Sequence, residues 1–422
     1  DTLLMLRPSQ SPVLIQQQLG RGLRLATDKA SCLILDFVGR HRSDFRFDRL
    51  LGLLSGLTRT RLGTAVEQGF GSLPPGCHIH LDRLTREQVL RSLRELSIAS
   101  WRHLVQEARA WASQGAERRE ADLATFLRDT GLELAELYRG GTGREPQARG
   151  WAALRRACGL EQRSEGRDEA QLSRRIPNLL AQDDPELLAS IARVAEARVD
   201  YDAAATSEQQ RWNAISAELF PSRNDACPGR ELPARLADAP ALREELAQVA
   251  RIMDDGNDRA AVPVPAMPAD WPFRLHCAYS LRSLMLLSGK LAPDSRALPQ
   301  AGLILFPERK VEFLLVTLDK STGFSTSTSY HDYAISPERF HWQSQNSAGP
   351  STSAGRRYLG GAAEGWTFQL FVRETKGQLY RALGPVNLES AEGDKPLSIT
   401  WQLAVPMPLG LFRQYSVLRD GG

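Results

Sequence analysis

The run Cys32-Leu33-Ile34-Leu35-Asp36-Phe37-Val38 is short, continuous and apolar, which is the pattern of a strand buried on both faces of an α/β sheet. Upstream of it, a helix beginning near Pro12 carries Val13, Leu14, Gln17 and Gln18 and runs out at Gly20-Arg21-Gly22. Residues 2–6 read as a short apolar strand, and Ser9 to Ser11 as a polar turn. The first stretch is therefore strand, helix, strand. Downstream, from about residue 48 to residue 258, the texture changes to Leu, Ala, Arg and Glu. Val89, Leu90, Leu93, Leu96, Trp101, Leu104 and Val105 recur at three- and four-residue spacing, as amphipathic helices require. Leu73-Pro74-Pro75-Gly76-Cys77-His78-Ile79-His80-Leu81-Asp82 interrupts them with a Pro-Gly turn leading into a short strand or extended loop. Trp151 and Trp212 are expected as core anchors.

Arg259-Ala260-Ala261-Val262-Pro263-Val264-Pro265-Ala266-Met267-Pro268-Ala269-Asp270-Trp271 holds three closely spaced prolines and cannot be a regular helix. We read it as a linker, exposed to protease. A helix is expected across 275–287, then strands at 303–306, 311–318, 366–373 and 397–405. Eighteen of the thirty aromatic residues lie in residues 271–422, as suits a β-rich domain.

A chain of 422 residues is long enough for roughly three domains. With 42% hydrophobic and 24% charged residues it falls in the globular class, and no apolar run approaches the roughly 18 residues of a spanning helix. The net charge of +3 is unevenly spread: Lys and Arg outnumber Asp and Glu nine to five in residues 1–60 and sixteen to twelve in residues 271–422, around an acidic middle. Asp1-Thr2-Leu3-Leu4-Met5-Leu6-Arg7 has no signal-peptide layout and reads as a cut or processed start. Cys32, Cys77, Cys158, Cys227 and Cys277 are widely spaced with no C-x-x-C pair, against a disulfide framework or zinc ribbon. A reducing cytoplasm is the expected compartment.

Two constellations carry chemistry. Gln17, Gly20, Arg21 and Arg24 stand at i, i+3, i+4 and i+7, one side of a helix and the turn leaving it. Two planar guanidiniums there suit a polyphosphate, although a solvated basic helix end has the same spacing. The second lies in residues 311–358: Val316-Thr317-Leu318-Asp319-Lys320, Tyr330-His331-Asp332-Tyr333, Phe340-His341-Trp342-Gln343-Ser344-Gln345-Asn346 and Gly355-Arg356-Arg357-Tyr358. Interleaved rings, amides and arginines suit a flipped or single-stranded base, with rings for stacking, amides for the base edge and arginines for phosphate. Gln343 and Gln345 would share one strand face and Trp342 and Ser344 the other. The alternative is that Phe340 and Trp342 are barrel core. His331, His341, Asp332 and Cys277 fit no metal-ligand spacing, Cys77 and His78 of Cys77-His78-x-His80 would face opposite ways on a strand, and no metal is expected.

Gln17-x-x-Gly20-Arg21-x-x-Arg24 resembles motif six of superfamily-two helicases, and the strand at Leu3–Arg7 with Ser9-x-Ser11 resembles the run through motif five. Leu33-x-Leu35-Asp36-Phe37-Val38-Gly39 resembles the strand after motif six in bacterial restriction-type helicases. The resemblance implies that Arg21 and Arg24 act catalytically across the cleft between two RecA-like lobes, and that Gln17, Gly20, Arg21 and Arg24 bind the nucleotide, ATP with Mg²⁺. The sequence has no G-x-x-x-x-G-K-[ST] loop and no Asp-Glu-x-His or Asp-Glu-x-Asp box. The first lobe is therefore expected upstream or on another chain, and this chain alone is expected not to hydrolyse ATP.

Thr317-Leu318-x-Lys320, Tyr330-x-Asp332-Tyr333, Phe340-His341-Trp342-Gln343-Ser344-Gln345, Gly355-x-Arg357-Tyr358, Phe371-Val372-Arg373-Glu374, Leu383-Gly384-Pro385 and Pro396-Leu397-Ser398-Ile399-x-Trp401 resemble, in order, a bacterial family of uncharacterised domains that follow a helicase core. Leu73-Pro74-x-Gly76-Cys77 and Leu137-Tyr138-Arg139 extend the resemblance into the helical middle. Some relatives are ATP-driven, modification-dependent type IV restriction enzymes whose C-terminal domain resembles base-flipping SRA/PUA-like pseudo-barrels, with a nuclease ahead of the helicase. The H-x-K-x-x-x-x-D motif of that nuclease is not in this sequence.

The expected architecture is multi-domain α/β, then α, then β. Residues 1–48 form part of a RecA-like second lobe, 49–258 a mainly helical connector, 259–271 a Pro-rich linker and 272–422 a β-rich pseudo-barrel. The expected function is the C-terminal part of a restriction-defence DNA helicase or translocase. The expected partners are duplex DNA with a modified cytosine and upstream helicase or nuclease lobes, with no membrane. DNA is expected to meet Tyr330, Asp332, Tyr333, Phe340, His341, Trp342, Gln343, Ser344, Gln345, Arg356, Arg357 and Tyr358. The alternative is a stand-alone binding or regulatory protein without ATPase activity. A hydrolase lacks a Ser-His-Asp or paired-carboxylate arrangement.

Overall fold

A computed structural model describes residues 2–5, 12–22, 24, 31–36, 51–52, 54–55, 59–68, 70, 78–97, 101–138, 148–197, 200–257, 260–295, 298, 302–319 and 332–416. The chain divides into two compact units, residues 1–142 with 157–160, and residues 143–156 with 161–422.

In the first unit β1 (Thr2–Met5) and β2 (Leu33–Asp36) pair in parallel, Thr2 opposite Leu33 and Met5 opposite Asp36. Parallel neighbours need a crossover, and α1 (Pro12–Gly22) lies between them in sequence, as expected. A Cβ on Gly22 would stand 3.1 Å from Cys32 Sγ and 3.5 Å from the Leu3 side chain, so the end of α1 lies close against this pair. Helices α2 (Arg59–Gln68), α3 (Arg83–Ser97), α4 (Trp101–Ala112), α5 (Ala116–Glu120) and α6 (Leu123–Thr130) follow. Asp82 starts α3 by accepting from Leu84 N at 2.9 Å and Thr85 N at 3.0 Å, which satisfies two donors left over by the first turn. Leu62, Val66, Val89 and Leu93 bury the facing stripes of α2 and α3. Of the extended stretch expected at 73–82, residues 78–82 are neither helix nor strand, and 73–77 lie outside the described residues.

The second unit opens with helices α7 (Trp151–Ala157), α8 (Glu169–Ser173), α9 (Ile176–Leu180), α10 (Pro185–Glu196), α11 (Thr206–Leu219), α12 (Leu232–Ala237) and α13 (Pro240–Asp255). Both tryptophans expected as anchors are buried here. Glu245 on α13 accepts from Trp151 N at 2.9 Å and Ala152 N at 2.8 Å, capping α7 from a distant helix. Helix α11 is buried nearly all round, and its polar residues are paired: Glu208 accepts from Ser190, Arg193, Arg211 and Trp212.

Then come β3 (Ala278–Tyr279), α14 (Leu281–Leu287), β4 (Leu303–Phe306), β5 (Val311–Asp319), β6 (Tyr333–Ser336), β7 (Arg339–Gln343), α15 (Ser353–Gly360), β8 (Thr367–Thr375), β9 (Tyr380–Glu392), β10 (Ser398–Leu403) and α16 (Leu409–Tyr415). They build an eight-stranded sheet in the order β4-β5-β8-β9-β10-β7-β6, with β3 paired to β9. Within this sheet, among the described residues, β5 and β8 are the one pair of strands that run parallel. The expected pseudo-barrel is corrected to an open mixed sheet among the described residues, since β4 and β6 end the path. The helix expected across 275–287 begins only at Leu281, because Ser280 caps it by accepting from Ser283 N at 2.9 Å.

Both faces of β5 and β8 are covered. Phe313, Leu315 and Phe371 pack with Trp271, Phe273, Tyr279 and α14, while Leu314, Val316, Leu370 and Val372 pack with Trp342, Tyr358 and Trp401. That is why 311–318 reads as an unbroken apolar run. In the stretch expected as a linker, residues 260–263, 265–266 and 269 are exposed, while Val264 and Trp271 are buried. Val264 N donates to Phe273 O and Leu275 N to Val262 O, and the Trp271 ring lies 4.5 Å from that of Phe306. Val264, Trp271 and α11 residues Ala214 and Ala217 share one apolar cluster. The prolines end helix without ending packing. Among the described residues no helix is long and apolar enough to cross a membrane.

Candidate nucleic-acid interface

Helix α1 carries the first constellation. Gln17, Gly20 and Arg21 on the helix, and Arg24 two residues past its end, are all exposed. A Cβ on Gly20 would meet nothing within 4 Å, and packing inside this chain therefore does not demand the glycine. At Gly22 a Cβ would instead press on the Cys32 side chain, 3.1 Å from Sγ.

The second constellation divides across the sheet. On β7 the alternation of a strand turns Phe340 and Trp342 inward, both buried; Ser344, just beyond the strand, is buried too. The Trp342 ring stands edge-on to Tyr358 at 5.3 Å and 6.2 Å from Trp401. Ser344 ties two chain segments: its Oγ accepts from Leu397 N at 2.8 Å, and its N donates to Leu397 O. These three residues, expected to meet DNA, are core.

The Gly355-Arg356-Arg357-Tyr358 motif also has a structural account. A Cβ on Gly355 would sit 1.8 Å from the Gly349 carbonyl oxygen, so only glycine fits at this crossing. Beyond it Arg357 Nε donates to Glu312 Oε2 at 2.6 Å, and Tyr358 OH donates to Glu312 Oε1 at 3.1 Å. Glu312 is 1% exposed on β5, and a carboxylate removed from water requires such donors. Burial, together with the Glu312 carboxylate, pushes the Tyr358 hydroxyl far up. Burial alone would lower the Arg357 guanidinium, but Glu312 raises it on balance. Tyr358, expected to meet DNA, is thus buried, and Arg357, expected likewise, is part-buried between Glu312 and Trp366, over whose ring its guanidinium lies at 5.2 Å.

The residues that reach solvent are fewer. Tyr333 and His341, opposite each other on β6 and β7, stack at 5.0 Å with planes 20° apart. His341 Nε2 lies 2.7 Å from Ser398 Oγ. Gln343 is half-buried, and its backbone N donates to Asp332 Oδ1 at 2.8 Å, so Asp332 holds the strand end. Gln345 is exposed past the end of β7. Arg356 is exposed on α15, with Nη1 donating to Ser351 O. Tyr330, with His331, lies outside the described residues.

Register adds residues that the sequence reading missed. Ser398 lies opposite Gln343, Thr400 opposite His341 and Gln402 opposite Arg339, with Glu392, Ser390 and Asn387 on β9 completing the rows. The alternation Ser398-Ile399-Thr400-Trp401-Gln402-Leu403 was the available signal. The outcome is a polar, hydroxyl- and amide-rich sheet face with one stacked ring pair. Its charges are nearly balanced: Arg339 bonds to Glu389, and Glu392 stands nearby.

Cys277 is buried and its Sγ donates to Asp183 O, while His78 and His80 are exposed. Among the described residues no three His, Cys, Asp or Glu side chains converge as metal ligands would. No curated protein matches the chain. Residues 273–415, from Phe273 through the whole sheet to Tyr415 of α16, match the family model of a domain of unknown function, DUF3427.

Proposed function

We propose that the chain is the C-terminal part of a restriction-defence DNA helicase or translocase, in which the outward face of β6, β7, β10 and β9 reads DNA. The observation that carries the reading is the Tyr333–His341 stack beside Gln343 and Ser398. A ring pair on an open sheet offers a π-surface to a base, and amides and hydroxyls beside it offer partners to the base edge. Of the expected Arg356 and Arg357, Arg356 is the exposed one; it stands on α15, which packs on the inward side of the sheet, so its phosphate contact is proposed apart from the ring pair. Trp342 and Tyr358, both expected among the DNA contacts, are taken up by packing on each other, and Trp342 also packs near Trp401. The base contact is therefore assigned to the outward face, with duplex carrying a modified cytosine as the preferred substrate.

In the same proposal Arg21, at the end of α1, and Arg24, just past it, complete an ATP site whose phosphate-cradling loop and Mg²⁺ carboxylates come from another lobe. The motif-six resemblance and the exposure of the four residues support that placement. ATP would supply the phosphoryl group; the contribution of this chain is two always-charged guanidiniums that steady negative charge.

A second reading, a stand-alone binding or regulatory protein, is favoured by the near-balanced charge of the outward face, because phosphate chains are drawn to positive surfaces. Binding titrations of residues 1–422 on modified duplex, plain duplex and single strands, each at two salt concentrations, separate the two. Saturable, salt-sensitive binding that is tightest on modified duplex is expected. No binding by folded protein would overturn the DNA reading and leave the second.

A further inference from the structure

We infer that Asp183 and Asp184 form a two-pronged clasp that makes helices α8–α13 an obligate half of the folding module whose other half is the DUF3427 sheet. The two residues are consecutive, just before α10, and each reaches a different part of the β half. Asp183 Oδ1 accepts from Ala278 N at 2.6 Å and its Oδ2 accepts from Arg381 Nη1 at 2.6 Å, so one carboxylate grips both β3 and β9. Arg381 also donates to His276 O, and Asn257 Nδ2, just past α13, donates to Asp183 O at 2.9 Å. Asp184 works in two directions at once. Its Oδ1 caps α10 by accepting from Glu186 N and Leu187 N, and its Oδ2 accepts from Tyr279 OH at 2.6 Å. Tyr279 OH in turn accepts from Arg274 N at 2.7 Å.

The Asp184 prong is shut off from water, and the Asp183–Arg381 prong is partly exposed. Asp184 is 1% exposed and Tyr279 is fully buried. Charge-assisted bonds in such surroundings are strong, and leaving any one partner alone is costly. Apolar packing points the same way, since Ala214 and Ala217 of α11 lie in the cluster of Trp271, Phe273, Tyr279 and Phe313. A third contact backs it: Ser280, the cap of α14, hydrogen-bonds Glu218 of α11. The segment matching the family domain begins at Phe273, but the groups holding β3 and the Arg381 end of β9 come from residues 183, 184 and 218. The other end of β9 supplies Asn387, Ser390 and Glu392 to the outward face, so that face is fixed to the helical half without a hinge.

The test uses the full chain and needs no ligand. Hydrogen exchange of residues 1–422 is followed by mass spectrometry at increasing sub-denaturing concentrations of denaturant, comparing peptides from α10 with peptides from β3 and β9. Cooperative units open together, so these peptides are expected to lose protection with one common denaturant dependence. Asp183→Asn is expected to speed exchange in both sets by the same factor, at least about tenfold for a lost charge-assisted bond. Protection of β3 and β9 persisting after α10 has opened would overturn the inference. So would acceleration in one set only. If Asp183→Asn does not fold, the wild-type comparison decides alone.

Discussion

Arg357 on α15 donates from Nε to Glu312 Oε2 on β5 at 2.6 Å, with the carboxylate 1% exposed. Breaking a buried pair by deleting one member strands the other charge, at a cost of about 3–5 kcal/mol. Arg357→Ala and Glu312→Ala are each expected to lower stability by that order in denaturant titration. The double substitution Glu312→Leu with Arg357→Met removes both charges and is expected to recover much of the loss. A phosphate-binding Arg357 would behave otherwise: its replacement would weaken DNA binding while the protein unfolded at an unchanged denaturant midpoint.

That pair shows which part of the site was legible from sequence and which was not. Gly355-x-Arg357-Tyr358 stands out as a motif, but a buried ion pair and a phosphate clamp use the same residue types. Only the partner, Glu312, distinguishes them, and it lies 45 residues away in sequence. Likewise, alternation across Phe340-His341-Trp342-Gln343 is visible in the sequence, whereas which face is inward is decided by β10 and α15. The strand at Val311–Asp319 was readable because burial on both faces leaves an apolar run, and Leu303–Phe306 because it is a short apolar run even at the sheet's edge. Strand β9 was not, because Gly384-Pro385 interrupts it. Gly384 has a φ of 89° and the pairing with β8 shifts register between Leu370 and Phe371, so a bulge accommodates what otherwise argues against a central strand.

Acid should weaken the second unit through Glu161. Hydrogen bonds from Arg163, opposed by partial burial, hold its carboxyl at about 2, and Arg163 also bonds to Glu244. A folded value below the ordinary 4.5 means stability that is present above pH 4.5 and lost as pH falls toward 2. Melting temperature is therefore expected to fall across that window, and Glu161→Gln to flatten the fall. Asp184 is shifted upward, chiefly by burial, and works in the opposite sense; the difference between wild type and Glu161→Gln removes its contribution. An unchanged acid slope in the variant would refute the assignment.

For the nucleotide, residues 1–422 alone are expected to release no phosphate from ATP above buffer, with or without DNA. Combined with a matching first lobe, Arg21→Ala and Arg24→Ala are each expected to cut turnover by about 10³-fold or more, the lower end for an arginine supplied to phosphoryl transfer. Arg21 is solvent-facing, so Arg21→Ala should melt like the parent, and unchanged turnover in both variants would separate α1 from the nucleotide.

Inward and outward rings on the two sides of the sheet give the sharpest test of the DNA reading. Trp342 is buried against Tyr358 and Trp401, and Trp342→Ala is expected to cost about 3–5 kcal/mol of stability, as large-to-small core changes do. Binding by the fraction that remains folded should be unaffected. Tyr333 stacks on His341 at the solvent-facing side, and Tyr333→Ala is expected to cost far less stability but about 1–3 kcal/mol of DNA binding if a base rests on the ring. Gln343→Ala, which removes an edge partner and leaves the strand's backbone bond to Asp332, is expected to narrow the difference between modified and plain duplex. Arg356→Ala should weaken both alike and reduce the salt slope by about one unit. Thermal melts and binding titrations on the same four proteins provide the check. Lost binding in Trp342→Ala at full folding, with none lost in Tyr333→Ala, would place the base on the inward side and reject the outward face.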